Sequence, residues 1–207
     1  AVIFGIKGYK LTNKEKELLK KTKPWGIILF SRNIQNISQL KFLVNDIKKI
    51  LRDKKYPILI DQEGGKVSRL NKIINLSFFS QYFLGKLYSR NKKLFYLVYK
   101  IYIDKVCDIF KKVGININTA PVLDVIRKKT HNFNKSRSFS ENSESVTKLG
   151  KLCISLYEKN RIATVVKHIP GHGMTKYDSH YKTPIIITNR KELTKKDFEP
   201  FKLCKSY

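Results

Sequence analysis

The 207-residue sequence predicts an α/β fold of the (β/α)8-barrel type, and three observations carry that expectation. Short apolar runs alternate with longer amphipathic helical patterns, the runs are four to six residues long, and polar residues fall just after several of them. Such alternation implies parallel strands joined by right-handed crossovers, with helices covering the sheet. In folds of this kind ligands sit at the carboxyl ends of the strands.

Residues 1–6 read as a first strand. Thr12 then caps a helix through about residue 21, with Glu15 three positions on to complete a capping box. Residues 26–30 form a second strand, followed by a helix over 37–51 that places Leu40, Leu43, Val44 and Ile47 on one face. Residues 57–60 are a third strand, ending in the polar run from Asp61 to Gly65. One long helical region covers about 80–112, and a fourth strand, 115–119, leads into the segment ending at Asp124. A helix over 143–159 and a fifth strand over 163–166 complete the series, the latter running into a Gly/His/Pro loop. Polar residues thus follow three successive strands: Asp61, then Asp124, then Lys167 and His168. One such placement would be ordinary loop chemistry; three in succession point to a ligand-binding face.

Charge is the most extreme bulk property, with 43 Lys+Arg against 16 Asp+Glu for a net +27. An excess of this size raises the possibility of a nucleic-acid-binding module, because neutralised phosphates release counterions. The lysines, however, are scattered in pairs along the whole chain with no dense basic tail. The expectation is biased surface composition, with no specific nucleic-acid partner. Cys107, Cys153 and Cys204 show no ligand spacing and read as free thiols of a reducing compartment. No segment approaches the ~20 apolar residues of a membrane span. With no signal peptide evident, a cytoplasmic location is expected.

The residues most suggestive of chemistry lie in 167–180 (KHIPGHGMTKYDSH), which holds three of the four histidines: His168, His172 and His180. A metal could be held by His168, His172 and either Asp178 or His180, but Pro170, Gly171 and Gly173 prevent the helix that would align positions i and i+4. The histidines could instead serve buried loop backbone. A third reading is acid/base catalysis by the Asp178–His180 pair. Two positions apart on an extended loop, their side chains point to one side, and a carboxylate beside an imidazole fixes its tautomer and raises its basicity.

This loop resembles the KH-x-PGHG and DSH motif, with x aromatic or aliphatic, of bacterial family-3 β-N-acetylglucosaminidases. Further blocks of the same enzymes are resembled in the same order by residues 26–33 (GIILFSRN), 59–70 (LIDQEGGKVSRL), 114–125 (GININTAPVLDV) and 197–201 (DFEPF). The resemblance implies retaining hydrolysis of terminal β-linked N-acetylglucosamine from muropeptide fragments in cell-wall recycling. It makes His180 the general acid/base and Asp178 its orienting partner. Asp61 would accept hydrogen bonds from sugar hydroxyls, and Arg69, Arg137, Lys167 and His168 would donate to the sugar. Around Arg137 the chain departs from the family pattern, which favours glycine just before the arginine and after the Ser-Phe. The implied partner is the carbohydrate substrate, with no cofactor, metal, membrane or obligate protein partner.

The family nucleophile is an aspartate in a Ser-Asp motif well downstream of the acid/base loop, and no such motif follows His180. A full (β/α)8 barrel takes ~250 residues, so residues 1–207 are expected to be one incomplete domain of about five β/α units. A sheet left open in this way is expected to be marginally stable or self-associating. The alternatives are an inactive remnant that at most binds sugar and, further off, the basic nucleic-acid-binding module.

Overall fold

The computed structural model describes residues 1–128, 130–175 and 183–205. Its strands are β1 (Ile3–Gly5), β2 (Gly26–Leu29), β3 (Ile58–Ile60), β4 (Ile117–Asn118) and β5 (Ala163–Thr164). All pair in parallel in the sequential order β1-β2-β3-β4-β5, with Ile27 opposite Ile58 and Ile60 opposite Asn118. Sequential order means that every crossover moves in one direction, which is barrel winding and not the reversal of a doubly wound sheet. Each strand is one to three residues shorter than its apolar run, because the ladder stops where the chain turns into loops. The edges are open among the described residues: Ile3 is 43% exposed and Val165 is 41% exposed.

The helices are α1 (Asn13–Thr22), α2 (Ile37–Leu51), α3 (Gln81–Arg90), α4 (Lys92–Val113), α5 (Asn132–Arg137), α6 (Ser143–Lys159), α7 (Arg190–Lys196) and α8 (Glu199–Cys204). The expected capping box is present: Thr12 Oγ1 accepts from Glu15 N at 3.2 Å, and Glu15 Oε2 accepts from Thr12 N at 2.8 Å. The single helical region expected over 80–112 is in fact two helices. Asn91 takes an extended conformation and accepts from Leu94 N at 3.0 Å, so it caps a new helix and ends the previous one. The short helix α5 was not anticipated, since six residues with a single apolar side chain, Phe133, carry no apolar period.

The core is the layer between the helices and the sheet. The predicted stripe Leu40, Leu43, Val44 and Ile47 is fully buried, as are Phe95, Ile103, Val106 and Phe110 of α4. Each such side chain contributes about 1.5–3 kcal/mol by leaving water. All three cysteines are free and buried.

Among the described residues, three other than glycine have positive φ: Lys23 (42°), Arg52 (55°) and Arg161 (60°). They follow the last turns of α1, α2 and α6. A left-handed side chain costs roughly 1–2 kcal/mol, of which a cation's attraction to the helix C-terminal dipole returns about 0.3–1. Helix α4 ends instead on Gly114 at φ 87°, where the conformation is cheap.

Candidate active site

The carboxyl ends of β3, β4 and β5 meet at one pocket. Asp61 follows β3, Thr119 follows β4, and Lys167 follows β5. Lys167 Nζ lies 3.0 Å from Asp61 Oδ1 and 3.2 Å from Thr119 Oγ1, and Thr119 Oγ1 also donates to Asp61. The segment after β5 runs alongside the segment after β4, with Val122 bridged in parallel to Lys167 and Leu123 N donating to Lys167 O at 2.7 Å. The Lys167–His168 and Ile169–Pro170 peptide bonds are cis. A cavity of about 710 Å³ results, lined among others by Asp61, Glu63, Arg69, Arg137, Lys167 and His168. A hollow of about 1060 Å³ on the helical flank is larger, but it lies away from the strand ends that gather these charges.

Five of the seven site residues expected from the sequence are therefore brought together. Arg69 reaches Asp61 Oδ2 at 3.5 Å, at the limit of a hydrogen bond, while its Nε is buried without a partner. Arg137 enters the pocket from the last residue of α5, so its departure from the family's flanking glycines does not move it away. Asp178 and His180 lie outside the described residues. Thr175, the last described position before them, is buried and anchored: it donates to His172 O at 3.0 Å and accepts from Asn134 Nδ2 at 2.8 Å.

Glu63 and Asp124 organise the site, and neither was among the expected site residues. Glu63 sits two positions beyond Asp61, and its side chain is 1% exposed. It receives both arms of Arg137 at 2.8 Å, and its Oε1 lies 2.6 Å from Lys167 Nζ. Asp124 Oδ1 accepts from His168 N at 3.3 Å and from His172 N at 2.7 Å, while Oδ2 is 2.7 Å from His168 Nδ1. The other nitrogen of that ring, Nε2, lies 3.0 Å from Arg137 Nη2. A guanidinium can only donate, so Nε2 must accept and Nδ1 must carry the proton given to Asp124. The sequence signal for Glu63 was the i, i+2 spacing from Asp61; for Asp124 it was placement after a strand.

Burial opposes ionisation of Asp61, yet Lys167, Thr119 and Arg69 outweigh it and hold its carboxyl below the usual 3.8. Burial likewise opposes ionisation of Glu63, and Arg137 with Lys167 overcomes it, leaving the group below 4.5. A carboxylate with a depressed folded pKa stabilises the fold fully above its unfolded pKa, and that stabilisation is lost as pH falls through the folded value. Urea midpoints measured from pH 6 downward are expected to hold to about pH 5 and then decline steadily. A flat midpoint down to pH 3 would contradict the ion pairing.

Asp124→Asn is a second test. The amide retains an oxygen for the two backbone N–H groups but presents N–H to the imidazole. The ring must then move its proton to Nε2, against Arg137. Loss of a hydrogen bond to a charged group predicts about 1.5–3 kcal/mol of destabilisation, and imidazole ¹⁵N shifts of His168 should report the exchanged tautomer. An unchanged tautomer would refute the assignment.

A sequentially ordered parallel sheet with carboxylates and cations gathered at its strand ends is the architecture of barrel-type enzymes, whose active sites lie at that face. Comparison with known proteins gives the family. The profile of the glycosyl hydrolase family 3 N-terminal domain matches residues 3–204, and the chain belongs to that family. A beta-hexosaminidase of Psychromonas ingrahamii is 32% identical over 202 residues, covering 97% of this chain and 58% of the relative. Beta-hexosaminidase A of Pseudoalteromonas piscicida is 35% identical, covering 89% of this chain and 31% of the relative. The crystal structure of NagZ from Neisseria gonorrhoeae in complex with N-trifluoroacetyl-D-glucosamine superposes with a TM-score of 0.88 at 30% identity, over 99% of this chain and 60% of that one. The chain thus spans between about a third and three-fifths of the length of these relatives.

Proposed function

We propose that this chain forms the sugar-binding and acid/base portion of a retaining β-N-acetylglucosaminidase acting on muropeptide fragments. The convergence of Asp61, Lys167, His168 and Arg137 from the ends of β3 and β5 and from α5 on one cavity carries this reading. It is supported by the family and by relatives named for hexosaminidase activity. Asp61 stays ionised and offers acceptors to a sugar diol. Lys167 and the guanidinium of Arg137 offer donors, and Glu63 holds both cations in place. His180 would protonate the glycosidic oxygen and then activate water, with Asp178 fixing its tautomer. The nucleophile that completes the double displacement would come from a Ser-Asp aspartate, which these 207 residues do not contain. The reading extends to a single, incomplete family-3 N-terminal domain over 1–207 and to a cytoplasmic setting. No helix among the described residues is long and apolar enough to cross a membrane.

Titration of the chain with N-acetylglucosamine, followed by amide chemical shifts, tests the binding half. Shifts are expected at Asp61, Lys167 and His168, and Asp61→Ala should weaken binding at least ~10-fold by removing a charged acceptor worth about 1.5–3 kcal/mol or more. Equal affinity of D61A and wild type would sink the assignment. The chemical half is tested in a polypeptide that also supplies the Ser-Asp motif, where His180→Ala should abolish turnover of an aryl β-N-acetylglucosaminide.

A further inference from the structure

Lysines scattered along the sequence converge on one end of the fold. In parallel β/α units the helix C-termini and the strand N-termini share a face, opposite the pocket. Residues 20–23, 48–55, 111–112 and 158–161 make up much of that face, and they carry twelve Lys or Arg against two acidic residues, Asp53 and Glu158. Elsewhere the chain has 31 against 14. Direct contacts make the segments one surface: Tyr56 OH donates to Pro24 O, Asn116 Nδ2 donates to Lys55 O at 3.0 Å, Lys48 Nζ donates to Gly114 O at 2.7 Å, and Lys111 Nζ donates to Asn160 Oδ1 at 2.7 Å.

Three further features of this face go beyond surface composition. A hollow of about 630 Å³ is lined by Lys48, Lys49, Arg52 and Lys54 together with Asn45 and Asp53. Trp25, the single tryptophan of the chain, stands 50% exposed at the start of β2 on the same end. And the positive-φ residues other than glycine among the described residues are all cations located here, Lys23, Arg52 and Arg161. A compositional bias toward Lys and Asn would put asparagine at such positions, because asparagine tolerates the left-handed region better. Asparagine does stand at helix ends, Asn91 after α3 and Asn160 after α6, yet the left-handed positions among the described residues hold long cations. The helix dipole returns part of the strain at those positions, and the three cations it favours add positive charge to the same face.

We infer that the face formed by the helix C-termini binds single-stranded nucleic acid without sequence preference, its lysines and arginines tracking the phosphates and Trp25 stacking on a base. Helix tips and turns cannot enter a duplex groove as a helix or β-ribbon does, so a flexible strand fits better than a duplex. The concave basic hollow and the single exposed tryptophan suit a phosphate chain more than a flat bilayer. Since the face lies opposite the cavity at Asp61 and Lys167, occupancy of one leaves the other open, and the inference stands whether or not the sugar-site reading holds.

Fluorescence anisotropy of a labelled 12-nucleotide oligo(dT) with the full 207-residue chain tests it. Five phosphate contacts on a single strand predict a log–log salt slope near −3.5, that is, about 100-fold weaker binding at 200 mM than at 50 mM salt. Trp25 emission should be quenched on binding, and Trp25→Ala should weaken oligo(dT) about five-fold or more while leaving inorganic polyphosphate binding unchanged. Neutralising Lys49, Arg52, Lys54, Lys111 and Lys112 to glutamine should weaken binding at least ~30-fold. The same neutralisation of Lys10, Lys14, Lys41, Lys92 and Lys93, near the opposite helix ends, should change it less than ~3-fold. Circular dichroism of both variants establishes that they fold. The inference is overturned by no binding at 50 mM salt, by equal losses in the two five-site variants, by an unresponsive Trp25, or by preference for phosphatidylglycerol vesicles over the oligonucleotide.

Discussion

Replacing Glu63 by glutamine is expected to lower the free energy of unfolding by about 3–5 kcal/mol, because the substitution leaves Arg137 and Lys167 as partly uncompensated cations with little access to water. The Glu63 side chain is 1% exposed, those of Arg137 and Lys167 are 11% and 15% exposed, and among the described residues Glu63 is the carboxylate that pairs with both. Lys167 keeps Asp61 as a partner, whereas among the described residues Arg137 keeps direct contact with Nε2 of His168 and the face of Phe133 and no paired carboxylate. Removing the guanidinium as well should recover part of the loss, so Glu63→Gln with Arg137→Met should be less destabilised than the sum of the two single variants. Urea unfolding of the four proteins measures this. A single-variant cost below about 1 kcal/mol, or simple additivity, would show that the pair contributes little beyond its hydrogen bonds.

The second large effect is expected at Gly173. A methyl group there would meet the carbonyl oxygen of Val125 at 1.8 Å and its carbon at 2.7 Å, both backbone atoms with no side chain to swing away. The loop after β5 can lie against the segment after β4 only because this position has no Cβ. Gly173→Ala must push the two apart, breaking the contacts through which Thr130 and Asp124 hold the loop. Overpacking of this severity should cost about 3 kcal/mol and abolish N-acetylglucosamine shifts at His168. Gly8→Ala, where nothing lies within 4 Å, is the matched control and should fall within about 0.5 kcal/mol of wild type. If the two variants were equally stable, the close approach at Gly173 would have no energetic weight.

The winding of the fold was legible because period and length are local properties. Leu40, Leu43, Val44 and Ile47 declare a buried helical face without reference to anything else, and Thr12 with Glu15 declares where a helix starts. The break at Asn91 was hidden because apolar periodicity continues across it and only the cap geometry reveals it. Within the site, Asp61, Lys167 and His168 could be read from their positions after strands. Arg137 owes its place to α5, whose anchors are Asn134 on Thr175 and His131 N on the Thr175 carbonyl, contacts spanning about 40 residues. No local pattern encodes those. Glu63 was visible as an acid near another acid, but its work as the counter-ion of two cations depends on where β5 and α5 deliver them. The basic face shows the same limit in reverse, since lysine pairs that look dispersed along the chain become neighbours once helices end together.

The bond between Lys167 and Asp61 joins positions 106 residues apart, and Arg137 meets Glu63 across 74. Contacts of such sequence separation form only after the intervening loop entropy has been met. The hydroxyl-reading chemistry therefore switches on last, as a report that three neighbouring units have docked in register. A nascent chain stalled before residue 167 would possess strands and helices yet no affinity for sugar. Ligand-dependent protection in a refolding time course should accordingly lag behind the recovery of helical signal.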